Sequence, residues 1–442
     1  MYTRKELTVS KKFFSKYKTI SDAIRDAKPG FKVFVEPGTY YENIIIDKDV
    51  EIIGKGSVDD IVLFSINISA IKMQTECASV RGITIRQGGK VEEKIGYSAV
   101  SSYMGSLTLE NCVISSEIGI GIIVTEEGNP IIRECKIYSN KDSGVVFLGG
   151  SGIIENCEIY NNGSANVEIS SEADPVLRGC KIYNSKQWGV VVMKKGRGTM
   201  ENCEIYSNAL DNVVIISEGY PVLKSCKIYS SEESGVSVVY EGRGTLENCE
   251  IYSNAKPNVV IDNKGDALLK SCKIYSGEQS GVLVKGKSRG IIEDCYIYDH
   301  RHDHQIHLQG TIGVLRNTRI IDGGNYGIYV ESGYPLIYYC TIKNHLVEDI
   351  YTDEYSMSSI LLENESLERE TKSRDDKPTN QSKYEQIFGF NPYDLEQEEL
   401  KLWLLEEQKK WLKRINAPSL ERRQEAEQML EIIGEAEKEL LK

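Results

Sequence analysis

A chain of 442 residues with 66 acidic and 53 basic side chains has a net charge of −13. It lacks the basic face that nucleic-acid binding by phosphate neutralisation requires, and no stretch approaches an apolar membrane span. The length exceeds what one compact core serves well, a limit that a repeat escapes because each unit needs only its neighbours.

Met1 to Thr19 carries Lys and Arg without the apolar run of a secretory leader, so a cytoplasmic protein is expected. Residues 1–30 read as an N-terminal segment and capping helix, the helix starting within Thr19-Ile20-Ser21-Asp22-Ala23-Ile24. Extended segments follow at Val33-Phe34-Val35-Glu36-Pro37-Gly38-Thr39-Tyr40, Tyr41-Glu42-Asn43-Ile44 and Ile52-Ile53-Gly54.

Further along, copies of x-L-x-x-C-x-I-Y recur every 22 or 23 residues, placing Cys112, Cys135, Cys157, Cys180, Cys203, Cys226, Cys249, Cys272 and Cys295 in one slot. Thr318 and Cys340 continue the series. A fixed short period means stacked repeats. The 11 cysteines are odd in number and mostly occupy equivalent core slots, which predicts buried, reduced thiols rather than a disulfide framework, and no cofactor is expected.

In the copy Gly244-Thr245-Leu246-Glu247-Asn248-Cys249-Glu250-Ile251-Tyr252, a bend at Glu247-Asn248 lets Leu246, Cys249 and Ile251 face inward. A second strand is predicted at Asn258-Val259-Val260-Ile261 and a third at Ala267-Leu268-Leu269. Such short strands fit one rung of a parallel β-helix. The slot before the second strand alternates Gly144, Asn166, Gly189, Asn212, Gly235, Asn258 and Gly281, which predicts a left-handed backbone corner there.

These motifs, from roughly Tyr17 to Ile350, resemble the right-handed parallel β-helix of the pectin-lyase-like superfamily, in its degenerate-repeat branch. The resemblance implies an all-β solenoid of about eleven rungs over residues 31–350, roughly 50 Å long at the strand spacing. It leaves function open, since that superfamily hosts lyases, hydrolases, epimerases, adhesins and non-catalytic scaffolds.

Outward positions beside the cysteine switch sign each turn: Arg133/Lys136, Glu155/Glu158, Arg178/Lys181, Glu201/Glu204, Lys224/Lys227, Glu247/Glu250 and Lys270/Lys273. Stacked turns then set acids against bases, a code that opposes slippage by one turn. A tyrosine ladder runs from Tyr138 to Tyr298. Stacking alone accounts for it, while its binding reading is a strip for sugar rings or a partner, formed by Tyr183, Tyr206, Tyr229, Tyr252 and Tyr275 with Trp188 nearby.

The charge code fails at Tyr296, just before Asp299-His300-Arg301-His302-Asp303-His304-Gln305-Ile306-His307. This turn offers Asp299, His302 and Asp303 as candidate catalytic groups and His300, His302 and His304 as candidate metal ligands, although no established metal-site spacing is present. With Gln305 in the corner slot, Ile306 and Leu308 face inward and His307 outward. The calcium-binding aspartates and catalytic Arg of pectate lyases, and the motifs of polygalacturonases, are absent; His302-Asp303 faintly echoes an epimerase phrase.

Residues 351–388 form a charged stretch that reads as a flexible linker. In residues 389–442, Leu400, Trp403, Leu404 and Trp411 share one helical face, and Leu420, Met429, Leu430, Ile433 and Leu440 mark a second helix after Asn416-Ala417-Pro418-Ser419. With Asn391-Pro392-Tyr393 this hairpin resembles a J-domain-like module without its His-Pro-Asp. Trp403, Trp411 and Arg414 are its candidate partner-binding residues. The leading expectation is a non-catalytic scaffold that recruits a protein through this tail, an AAA+ ATPase being one partner the β-helix resemblance implies. The alternative is a polysaccharide-active enzyme, lyase or epimerase, or a carbohydrate-binding module on the β-helix face.

Overall fold

The structure, a computed structural model, describes residues 5–90, 98–333, 335–352 and 397–412, with isolated positions at 429, 430, 433 and 436. The chain divides into two units, Met1–Ile360 and Leu361–Lys442.

In the first unit each turn lays down three short strands. Around Cys249 these are Arg243–Glu247, Glu250–Tyr252 and Val259–Ile261, one strand each of a leucine wall, a tyrosine wall and a valine wall. Each strand pairs in parallel with its counterpart one turn on: Leu246 opposite Leu269, Ile251 opposite Ile274, Val259 opposite Val282. This is a parallel β-helix, and parallel crossovers are right-handed almost without exception.

Among the described residues the tyrosine wall holds 14 strands. The other two walls form one 27-stranded sheet, because the long strands Ser98–Glu110 and Ile306–Arg316 run from one wall into the other. The count exceeds eleven because early strands such as Gly38–Tyr41 and Ile61–Ile66 alternate inward and outward without the cysteine phrase. At the start, the helix Ile20–Asp26 is capped by Thr19, whose side chain accepts from Asp22 N at 3.1 Å. The Glu42 carboxylate accepts from Ile20 N and Ser21 N at 2.7 and 2.9 Å, placing negative charge at the positive end of the helix.

Inward residues stack like upon like: Leu246, Cys249, Ile251, Val259 and Ile261 are fully buried, as are their counterparts in the next turn. Every cysteine is free, and all but Cys77 are buried. The Cys249 thiol donates to Leu223 O at 3.5 Å, tying adjacent turns together.

The left-handed residues do not lie where the Gly/Asn alternation suggests. They precede the cysteine (Asn156, Asn202, Ser225 and Asn248, φ 52° to 54°), follow the tyrosine, and pair up in turns such as Asn263-Lys264. Glycine alternates with asparagine for reasons of space. A Cβ on Gly235 would lie 2.7 Å from both Asn254 Nδ2 and Asn258 O; Gly144, Gly189 and Gly235 make room for the asparagines of the following turn, and Gly281 for His300 and Gln305.

The charge code forms real ladders. Arg178 reaches Glu201 at 2.8 Å and Glu155 at 3.5 Å, and Glu250 lies 3.9 Å from both Lys227 and Lys273. These pairs are partly exposed and individually weak. The charge reversal E201K sets a cation between Arg178 and Lys224, and a loss of about 1 kcal/mol in low salt is expected, shrinking toward zero in 1 M salt. Urea unfolding at two ionic strengths measures it; a salt-independent loss would indicate a packing effect instead.

Among the described residues of the second unit the one continuous helix is Gln397–Leu412, with Leu400 and Leu404 buried. The J-domain-like hairpin therefore finds no support. Of the second predicted helix only Met429, Leu430 and Ile433 are described; Leu420, Leu440, the turn Asn416–Ser419 and Arg414 lie outside the described residues. Trp411 is buried and its Nε1 donates to Glu407 at 3.0 Å, whereas Trp403 is partly exposed. No described helix is long and apolar enough to cross a membrane.

Candidate functional site

On a three-sided prism of stacked strands, outward side chains form rows one turn apart. The outward rows of the leucine and tyrosine walls satisfy themselves. In the tyrosine row, successive rings from Tyr138 to Tyr298 stack at 4.8 to 5.0 Å, nearly parallel. Tyr183, Tyr229 and Tyr275 each lie beside a glutamate of the preceding turn, and burial followed by that negative charge pushes their phenols up to about 12. The binding candidates Tyr183, Tyr206, Tyr229, Tyr252 and Tyr275 thus sit in one continuous stack, while Trp188 is half-buried at the corner leading to the valine wall. The break in the code at Tyr296 is filled by Arg319, whose guanidinium sits 5.4 Å from the ring.

The valine wall differs. After Ile45, Lys72 and Ser101, its outward row runs Ile123, Val146, Glu168, Val191, Val214, Ser237, Val260 and Leu283, then changes chemistry to His307, Tyr329 and Tyr351. Two acids sit on this face in surroundings that disfavour their charge. Burial, reinforced by Asp142, raises Glu168, with Lys194 opposing. Burial likewise raises Asp211, although its carboxylate accepts from Ser234 N and Ser237 Oγ at 2.9 and 3.1 Å.

Where the row changes, side chains converge. The ring of His304, in the corner before strand Ile306–Arg316, stacks on Tyr329 at 4.5 Å, and Tyr329 stacks on Tyr351 at 4.9 Å. His307 meets both His304 and Tyr329 edge-on, at 5.4 and 5.1 Å, and Tyr326 closes the group. His307 Nε2 lies 3.1 Å from Glu331 Oε2, and Gln309 Nε2 donates to the other oxygen at 3.1 Å. Glu331 reaches them because the ladder slips. Leu308 pairs with Val330 but Gln309 pairs with Ser332, so Glu331 bulges out of register. Bulges of this kind re-aim side chains beside functional sites.

Asp303 completes the patch, its Oδ1 3.4 Å from His304 Nε2 and its Oδ2 accepting from Ser280 Oγ at 2.9 Å. Burial, with the neighbouring His307, lowers His304 despite Asp303, so the imidazole is neutral near pH 7. Its Nδ1 is buried without a hydrogen-bond partner. Burial, then Tyr351 and Glu331, raises the Tyr329 phenol. The arrangement offers an imidazole oriented by a carboxylate beside a stack of rings, which suits proton transfer on a ligand lying across an apolar face.

The structure separates the sequence candidates of this turn. Asp299 is bonded instead to Ser276 Oγ at 2.8 Å and paired with Arg301 at 2.6 Å, and His302 is exposed. His300 is buried inside the helix, its Nε2 2.9 Å from Asn258 Nδ2 and its Nδ1 bonded to Gln305 Oε1. Neither ring nitrogen of His300 is open to a metal, so His300, His302 and His304 do not converge, and no set of three metal-holding side chains occurs among the described residues. Of the predicted catalytic trio only Asp303 lies in the patch. Gln305 fills the corner slot and His307 faces outward, as the spacing predicts. Tyr326, Tyr329, Glu331 and Tyr351 escape sequence reasoning; the one signal, replacement of aliphatic residues in the outward row, marks only Tyr329 and Tyr351.

The family model described as the right handed beta helix region matches residues 69–218, 120–256 and 211–366. No curated protein sequence matches the chain. Among solved structures, the A-module of a mannuronan C-5 epimerase from Azotobacter vinelandii superposes with a TM-score of 0.50 at 14% identity, covering 75% of this chain and 92% of that one. A doubly substituted periplasmic alginate epimerase gives 0.50 at 10% identity, covering 76% and 83%. The catalytic unit of an α-1,3-glucanase from Streptomyces thermodiastaticus gives 0.45 at 15% identity, covering 75% and 67%. At such identities the likeness is one of fold. The family matches, by contrast, run through most of the β-helix and over more than half of the chain, and the protein belongs to the right-handed β-helix region family.

Proposed function

We propose that this protein is polysaccharide-active, with its reacting centre on the outer face of the valine wall at His304, His307, Tyr329 and Glu331. The observation that carries this reading is the bulge that brings Glu331 to His307 and Gln309 at the end of an apolar row. The apolar and aromatic face suits the C–H faces of sugar rings, while Asp303, Gln309 and Glu331 suit their hydroxyls. His307, oriented by Glu331, is the proton acceptor, and neutral His304 lies beside it. The class agrees with the two epimerases of equal fold similarity, both named for polysaccharide substrates. The scaffold reading draws on the tail, where Arg414 lies outside the described residues, and gains less support.

The test is a screen of purified full-length protein against soluble polysaccharides, read as new reducing ends, unsaturated ends or altered sugar stereochemistry. Turnover is expected to fall about 10²–10⁴-fold in His307→Ala with an unchanged melting temperature, as loss of a general base predicts. Binding without turnover in wild type and variant alike would make the face a carbohydrate-binding module; neither binding nor turnover would sink the proposal.

A further inference from the structure

The charge on the same face narrows the ligand, an inference that rests on the polysaccharide reading. Between Ile123 and Tyr351 the outward row of the valine wall presents neither lysine nor arginine. It presents carboxylates at Glu168 and, in the patch, at Asp303 and Glu331. Of the cations around the face, Lys194 acts on Glu168 near its middle, Lys285 lies 3.5 Å from Asp262, and Arg301 lies 2.6 Å from Asp299; none stands in the row itself. We infer that the glycan bound here is uncharged, and that a polymer of uronic acids is excluded from this face.

Two arguments converge. A uronate chain would bring a carboxylate with each sugar to a surface of low polarity whose own charges are negative, where like charges repel and water screens poorly. A neutral chain brings hydroxyls, which donate to the carboxylates of Asp303 and Glu331. The chemistry agrees: removing a proton beside a sugar carboxylate builds further negative charge, and that step needs a cation or an array of donors aimed at the carboxylate. The patch aims acceptors there instead. This separates the chain from the epimerases whose fold it shares.

The experiment is affinity electrophoresis of the full-length protein in gels containing neutral glucan, mannan or xylan, and in gels containing alginate or polygalacturonate with and without calcium. Retardation is expected in at least one neutral glycan, to fall more than tenfold in Tyr329→Ala, and to be absent from the uronates. Leu283→Lys, which adds a cation one turn before His307, is expected to create retardation in uronate gels. Uronate binding by the unaltered protein, abolished by Tyr329→Ala, would overturn the inference and leave the polysaccharide reading standing. Retardation in no gel would remove both.

Discussion

Asn254→Leu is expected to destabilise the β-helix by about 4 kcal/mol, although it keeps the number of side-chain heavy atoms and touches no surface. Asn254 is fully buried, and its amide joins three turns. Its Oδ1 accepts from Ser231 N at 3.0 Å and Asn212 Nδ2 at 3.3 Å, and its Nδ2 donates to Asn258 Oδ1 at 2.7 Å. Leucine leaves two donors and an acceptor buried and unpaired, each worth about 1–3 kcal/mol, in a corner where Gly235 already allows no slack. Urea unfolding followed by near-ultraviolet circular dichroism should show the loss. Hydrogen exchange should place the early opening around Ser231 to Asn258, since a solenoid opens locally. A shift below about 1 kcal/mol would mean that the ladder is dispensable.

The second large effect is a pH dependence seated in His300. The asparagine ladder passes from Asn254 through Asn258 to His300 and ends on Gln305. Asn258 Nδ2 also donates to Tyr275 O at 3.0 Å, so its remaining hydrogen meets His300 Nε2, and Nδ1–H donates to Gln305. Burial lowers this imidazole to about 4, against the opposing pulls of Gln305, Asp299 and Asp303. A histidine of ordinary pKa, about 6.5, binds its proton sooner in the unfolded chain. Stability is therefore full above pH 6.5, falls as the pH drops toward 4, and levels below it, a loss of about 3 kcal/mol. In His300→Asn, which restores the residue found at Asn208 and Asn254, most of that slope should vanish, leaving the smaller same-signed contribution of His304 and the opposite-signed ones of Glu168 and Asp211. Unfolding midpoints of both proteins between pH 7 and pH 4 decide it; equal slopes would place the dependence elsewhere.

Much of this architecture was legible in one sequence because a solenoid writes its contacts at a fixed offset. Cys249, Tyr252 and Glu250 meet their counterparts 23 residues on, so period, stacking and charge ladders can be read directly. Where contacts leave that offset, sequence reading loses them. Asn208 and Asn212 meet within one turn, which turned an alternation that looked like backbone geometry into a buried amide ladder. The N-terminal turns lack the marker phrase and went uncounted. Glu331 could not be placed at all, because its position comes from a slip in pairing that no side-chain spacing announces. His300 and His304 look alike in sequence, yet the corner between them turns one ring inward and the other onto Tyr329.

The glycine-for-asparagine alternation also constrains how such a chain can lengthen or shorten over time. Turns with an asparagine pair, such as that of Asn208 and Asn212, fit between turns that carry glycine at Gly189 and Gly235, and the charge ladders keep the same rhythm. A duplication or deletion of a single turn would juxtapose two crowded corners or two roomy ones, and like charges with them. A change of two turns keeps both patterns in step, so the fold accommodates lengthening by couplets rather than by single turns.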